Sequence, residues 1–310
     1  MDRRSIPGTV NFSPLPPVFN CLDPRRVAAR RNRPRRSEEN ESGWGCCHFR
    51  ISAAVTVSEK ESIPDLAGPA FYAQPKFIRR SRARDWWTVL HPPYTLLHLS
   101  LVTVGACLAA PVSGLRLLAT LAAFFLAVGV GAHCLDELKG RPLRTSLPTW
   151  QLVSAAIVGL GGAVAFGIVG LFVVSVYLAI FIAVGVMIAV GYNLELFGGR
   201  LHTPLVVVTG WGGFPILTAY FTQHDSLSFA AVAAAGFGTM ITLIQQQLST
   251  PARDLRRRTQ SVAGVMNRVD GSSQPLSKEL MLRPLEKTLK TLCWAGPLLA
   301  ISLMCARFIH

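Results

Sequence analysis

The chain has 310 residues, half of them hydrophobic, and a formal net charge of +14, with a positive mean hydropathy. The two excesses are segregated: residues 1–84 are rich in Arg and Pro, whereas the remainder holds stretches of about 20 residues almost without charge, the length that crosses a hydrocarbon core about 30 Å thick. That distribution excludes a soluble single-core domain, and it sets nucleic acid aside as a partner, because Lys and Arg collect in the arm and in alternate loops, where they meet membrane lipid or an anionic substrate at its surface.

Residues 1–84 read as a disordered basic arm, since low hydrophobicity and high charge cannot offset chain entropy. No apolar core follows Arg3 and Arg4, so the arm is not a secretory signal, and Glu38, Glu39 and Glu41 count against a transit peptide. Cys46, Cys47 and His48 are adjacent, but no second Cys/His pair follows at zinc-site spacing.

Residues 85–310 form the membrane domain, an all-α transmembrane bundle of about seven spans. The first runs over 94–110, opened by Pro92 and Pro93, and the second over 117–135. The apolar stretch 152–192 is too long for one span, so it holds the third and fourth, with a tight hairpin expected near 167–170. The fifth covers 204–221, the sixth 227–248 and the seventh 289–309. Residues 273–289 mix Leu with charge and read as a helix lying in the interface.

The basic residues set the orientation. With the N-terminus in the cytoplasm, the inner segments carry Arg79, Arg80, Arg82 and Arg84, then Lys139, Arg141 and Arg144, then Arg200, then Arg253 and Arg256 to Arg258; the outer ends carry Arg116 and Arg307. Trp86, Trp87, Trp150, Tyr192 and Tyr220 fall at span ends, where amphipathic rings are favoured. The expected location is the plasma membrane of a prokaryote.

Charged groups at the edge of a membrane core are costly and therefore informative. The second span ends in GAHCLDELKGRP, which puts His133, Asp136 and Glu137 at i, i+3 and i+4, on one helical face. The fourth ends in GYNLELFGGRLH, with Tyr192, Asn193, Glu195 and Arg200. The sixth ends in QQQLSTPARDLRRR, with Asp254 among the arginines. All three lie at the cytoplasmic ends of even-numbered spans. Carboxylates there can hold a hard cation and arginines can hold phosphate, a mixture that suits a diphosphate bridged through Mg²⁺. The plainer alternative pairs Asp136 and Glu137 with Lys139 and Arg141.

In the order and sidedness of these motifs the chain resembles the UbiA-type intramembrane prenyltransferases over about residues 84–260. The resemblance implies an all-helical fold in which Asp136 and Asp254, with Glu137 in place of a lost ligand, hold Mg²⁺. It implies a prenyl diphosphate bound beside His133, Asn193, Arg141, Arg200, Arg253 and Arg257, and a catalytic role for Asp136, Asp254 and Tyr192. The expected activity is transfer of the prenyl group to an aromatic or lipid acceptor. The family's first motif, Asn-Asp-x-x-Asp-x-x-x-Asp, meets Ala132, His133 and Gly140 here, and its second, Asp-x-x-x-Asp, ends on Arg258. These departures keep a second reading open: a catalytically degenerate relative that binds an isoprenoid lipid or a protein partner without turnover. A metal-dependent hydrolase built on His133, Asp136 and Glu137 is a further alternative. No inverted repeat and no charged pair deep within a span supports a transporter.

Overall fold

A computed structural model describes residues 81–309. The arm expected over 1–84 therefore lies outside the described residues up to 80, as do Arg79, Arg80 and the Cys46–Cys47–His48 cluster.

Among the described residues the chain forms eight helices and one small ribbon: α1 Arg82–Leu90, α2 Pro92–Cys107, α3 Gly114–Leu138, α4 Thr149–Val173, α5 Leu178–Asn193, α6 Pro204–His224, α7 Phe229–Arg257, the antiparallel strands β1 Val265–Asn267 and β2 Ser273–Pro275, and α8 Lys278–Phe308. By length and composition α3, α4, α6, α7 and α8 can each cross a membrane. Helices α2 and α5 have 16 residues each, about 24 Å of rise. The protein is thus an all-α membrane bundle.

Local chemistry starts these helices. Ser81, Ser113, Thr203, Ser228 and Ser277 each accept the amide three residues on, that of Arg84, Arg116, Val206, Ala231 and Leu280, which satisfies an amide with no partner inside the helix. Pro92, Pro93 and Pro204 stand in first turns, where a missing N–H costs nothing. Between α1 and α2, His91 adopts a left-handed φ of 43°, and the chain turns there.

Packing relies on close backbone approach. Helix α2 lies against α6 and α8, α3 against α4, and α7 against both α6 and α8. A Cβ on Gly238 would come within 2.6 Å of the Gly212 carbonyl oxygen, and one on Gly159 within 2.9 Å of the Gly131 nitrogen. Such contacts substitute for hydrophobic driving force, which lipid does not supply between helices. The outer face of α4 exposes Trp150, Ile157, Val158, Val169 and Phe172, as suits a helix turned toward lipid.

Four expectations are corrected. The hairpin between α4 and α5 lies at residues 174–177, not at 167–170: Gly167 and Gly170 are inside α4, where they admit Ile182 and Leu178 of α5. No separate interface helix covers 273–289, because α8 runs unbroken from Lys278 through Pro284 and Pro297. Helix α7 continues past 248 to Arg257, with Pro251 inside it. Helix α1 precedes the first expected span and begins at Arg82, within the segment assigned to the arm.

Two helices that carry the candidate site are locally widened. Phe125–Ala132 in α3 and Thr209–Gly213 in α6 are π-helical. Such stretches are rare and frequent at functional sites.

Candidate functional site

One end of the bundle gathers rings and charges from α2, α3, α6, α7 and the α5–α6 loop. On α2, Tyr94 and His98 are separated by one turn and share a face. Their rings meet edge to face with centroids 4.3 Å apart. His133 of α3 lies 6.1 Å from Tyr94 and 6.4 Å from His91, ring to ring.

The π-helical stretches hold two of these imidazoles. His133 Nδ1 is 3.3 Å from the Gly129 carbonyl oxygen, and His98 Nδ1 is 2.9 Å from that of Trp211. A carbonyl only accepts, so in both bonds Nδ1 carries the proton and donates. His98 is left with an Nε2 lone pair, and that atom is buried without a hydrogen-bond partner among the described residues.

Trp211 links this group to a second. Tyr192, at the end of α5, meets Trp211 at 5.1 Å and stacks on His202 at 4.3 Å with the planes 18° apart. His202 Nδ1 donates to the Tyr192 carbonyl at 3.1 Å, which ties the α5–α6 loop back onto the helix.

The charges come from α3 and α7. Asp136 interacts electrostatically with Arg253, Arg257 and His202. Arg253 also acts on Tyr94 and Tyr192, so it is common to both ring groups. Its side chain makes one hydrogen bond among the described residues, to Thr250 Oγ1 at 3.3 Å. Arg257 Nε is buried without a hydrogen-bond partner among the described residues. Two guanidinium groups with spare donors therefore face one carboxylate, a surplus of positive charge that suits an anion.

The remaining expected site residues are engaged elsewhere. Glu137 is fully buried and engaged by the α3–α4 loop: its carboxylate accepts from Leu143 N at 2.9 Å, Thr145 N at 3.0 Å and Thr145 Oγ1 at 2.8 Å. Arg141 donates to the Leu147 carbonyl at 2.6 Å and to Thr149 Oγ1 at 3.0 Å. Asn193 donates to the Ala189 carbonyl of its own helix at 2.7 Å. Arg200 is exposed and makes no ion pair among the described residues. Asp254 pairs with Arg258 at 3.5 Å and borders a cleft formed with Met281, Pro284 and Leu285 of α8. The structure thus groups His133, Asp136, Tyr192, Arg253 and Arg257, and what faces Asp136 from α7 is arginine rather than Asp254. Among the described residues no cluster of three or more His, Cys, Asp or Glu is arranged to hold a metal ion. With Glu137 saturated and Asp254 turned toward α8, the donor set does not fit a metal centre shared by all three carboxylates.

The plainer pairing is not what forms either. Lys139 pairs with Glu195 at 2.6 Å, linking the end of α3 to the α5–α6 loop. That bond holds the Glu195 carboxyl below its ordinary range.

An apolar cavity of about 430 Å³ lies between α3, α4, α5 and α6. Trp211, Ala189 and Val128 line the end nearer the polar cluster; Arg116, Val173 and Thr222 line the other. From Val128 to Arg116 the rise along α3 is about 18 Å. Arg116 closes the far end by donating to the carbonyls of Thr222, Gln223 and Val173, each at 3.3 Å. Tyr94, His98, His202 and Trp211 were not legible as site residues. The one signal for the first two is a Tyr and a His four apart directly after a Pro-Pro start.

Comparison of the chain with protein-family models, with curated proteins and with solved structures returns no match.

Proposed function

We propose that this protein is a UbiA-like intramembrane prenyltransferase of seven spans, with α2 and α5 as the two short ones and the N-terminus in the cytoplasm. The diphosphate of a prenyl diphosphate lies against Arg253 and Arg257, and its tail occupies the apolar cavity past Trp211. The observation that carries this reading is the pair of guanidinium groups with unused donors beside the cluster that shares Trp211 with an 18 Å apolar cavity. Arg253 and Arg257 balance the charge of the departing diphosphate, while the faces of Tyr94, Tyr192 and Trp211 favour the allylic cation left behind. Asp136 would hold an Mg²⁺ ion carried in with the diphosphate.

The test is incubation of the purified protein in lipid nanodiscs with labelled geranylgeranyl diphosphate, with and without Mg²⁺, and a panel of hydrophobic acceptors. Binding that weakens at least tenfold in Arg253→Gln and Arg257→Gln, with release of diphosphate, is the expected result. Undiminished binding in the double variant rejects the site. Binding without diphosphate release selects the second reading, an isoprenoid-lipid-binding protein without turnover, which the outward engagement of Glu137 and Asp254 favours.

A further inference from the structure

The polar cluster contains an acceptor that no group among the described residues satisfies. His98 is 3% exposed, its Nδ1–H is spent on the Trp211 carbonyl at 2.9 Å, and its Nε2 lone pair has no partner among the described residues. Leaving a buried acceptor unpaired costs about 1–3 kcal/mol. At 3% exposure bulk water does not recover that cost. The tautomer is fixed by a main-chain carbonyl in a π-helical turn, so the ring cannot turn its proton toward the gap without losing the bond it makes.

Tyr94 is the ring packed against His98. Tyr94 meets the His98 ring edge to face at 4.3 Å and is partly exposed, and among the described residues no hydrogen bond holds its hydroxyl. A rotation of Tyr94 would turn that ring edge of His98 toward His91 and His133, whose rings lie 5.8 and 6.1 Å from Tyr94. Those rings, together with Tyr94, wall the opening with aromatic faces.

We infer that this cluster is a binding site for a second molecule, one that presents an O–H or N–H to His98 Nε2. An anion is disfavoured at that point, because a lone pair repels it; the anion belongs with Arg253 and Arg257. The inference rests on the proposed function only for the role it gives that molecule, the acceptor of the prenyl group. As a binding site for a hydrogen-bond donor it stands on His98 itself.

The experiment uses the full chain in phosphatidylcholine nanodiscs and compares 4-fluorophenol with 4-fluoroanisole by ¹⁹F NMR, with empty nanodiscs as reference. The two probes have the same ring and differ in the O–H. Wild type is expected to bind the phenol at least tenfold tighter than the ether. His98→Phe is expected to abolish that preference, and His98→Gln, which keeps an acceptor near the Nε2 position, to retain part of it. Equal affinities in wild type, or a preference that persists in His98→Phe, overturns the inference. Should His98→Phe not fold, ¹⁵N-histidine labelling of wild type decides: the phenol must move the Nε2 resonance of one histidine whose Nδ1 is protonated, and an unmoved spectrum overturns the inference. Binding of geranylgeranyl diphosphate in the same nanodiscs depends on Arg253 and Arg257, so its absence alongside an intact phenol preference defeats the proposed function and leaves this site standing.

Discussion

Glu137→Gln separates a structural carboxylate from a functional one. Glu137 is fully buried and takes three donors, two on Oε1 from Thr145 and one on Oε2 from Leu143. Gln keeps the volume but replaces one oxygen by NH₂, which then faces an N–H. Hydrogen bonds to a charged group contribute about 1.5–3 kcal/mol each, and an unmet buried donor costs about 1–3 kcal/mol. Losing the single bond on Oε2 while facing Leu143 N with a donor therefore destabilises the fold by about 3 kcal/mol. Asp136→Asn alters an exposed side chain with no hydrogen bond among the described residues, so it stays within about 0.5 kcal/mol of wild type. Denaturant unfolding in detergent, followed by circular dichroism, measures both. Binding of geranylgeranyl diphosphate with Mg²⁺ should respond in the opposite order, falling in Asp136→Asn and persisting in folded Glu137→Gln. A Glu137→Gln protein as stable as wild type but unable to bind Mg²⁺ would refute the loop-fixing role and return Glu137 to the metal site.

The buried ion pair of Arg256 with Glu286 joins α7 to α8. Glu286→Ala should cost about 3–5 kcal/mol by stranding the guanidinium, and Arg256→Met with Glu286→Leu should recover most of it; unfolding curves of the single and double variants decide. The Lys139–Glu195 bond lowers the Glu195 pKa from the ordinary 4.5, so its contribution is present above that value and is lost as pH falls through the lowered one. An NMR titration should place the Glu195 midpoint below 4.5 in wild type and back toward 4.5 in Lys139→Met; equal midpoints would show that the bond does not form in solution. Arg116→Leu removes the polar closure of the cavity, so under the proposed function the variant should accept longer prenyl chains relative to geranylgeranyl; an unchanged chain-length profile would mean that the proposed tail does not reach that end.

The membrane bundle was largely legible because long uncharged runs have few solutions, and every expected span corresponds to a helix. What the pattern could not place were breaks inside apolar sequence. The chain from 152 to 192 offers no charge to mark a turn, and glycine attracts the prediction because it frees the backbone. In a bilayer Gly167 and Gly170 serve instead to let α5 approach α4. The turn falls at Ser175, whose hydroxyl accepts the Tyr177 amide at 3.3 Å. The ribbon does carry a turn signal, Asp270–Gly271, with Gly271 at φ +81° and Asp270 accepting from Ser272. Helix α1 was hidden by its charge, although Ser81 with Asp85 in the first turn is a recognisable start.

The site shows how far helix periodicity carries. Spacing alone grouped His133, Asp136 and Glu137, and topology brought the three motif-bearing ends together; His133, Asp136, Tyr192, Arg253 and Arg257 do share one region. Spacing also assigns each residue a face without knowing what covers it. The loop after α3 folds back so that Leu143 and Thr145 donate to Glu137, and only Asp136 remains on the open side. On α7 the interval of four puts Arg253 and Arg257 on one face and leaves Asp254 about 100° from Arg253, where it meets α8. A carboxylate motif read along the chain therefore becomes, in space, one carboxylate opposed by two arginines. The proposed recognition of phosphate by guanidinium starts from that arrangement, and the proposed second ligand from His98, on a helix that no motif had marked.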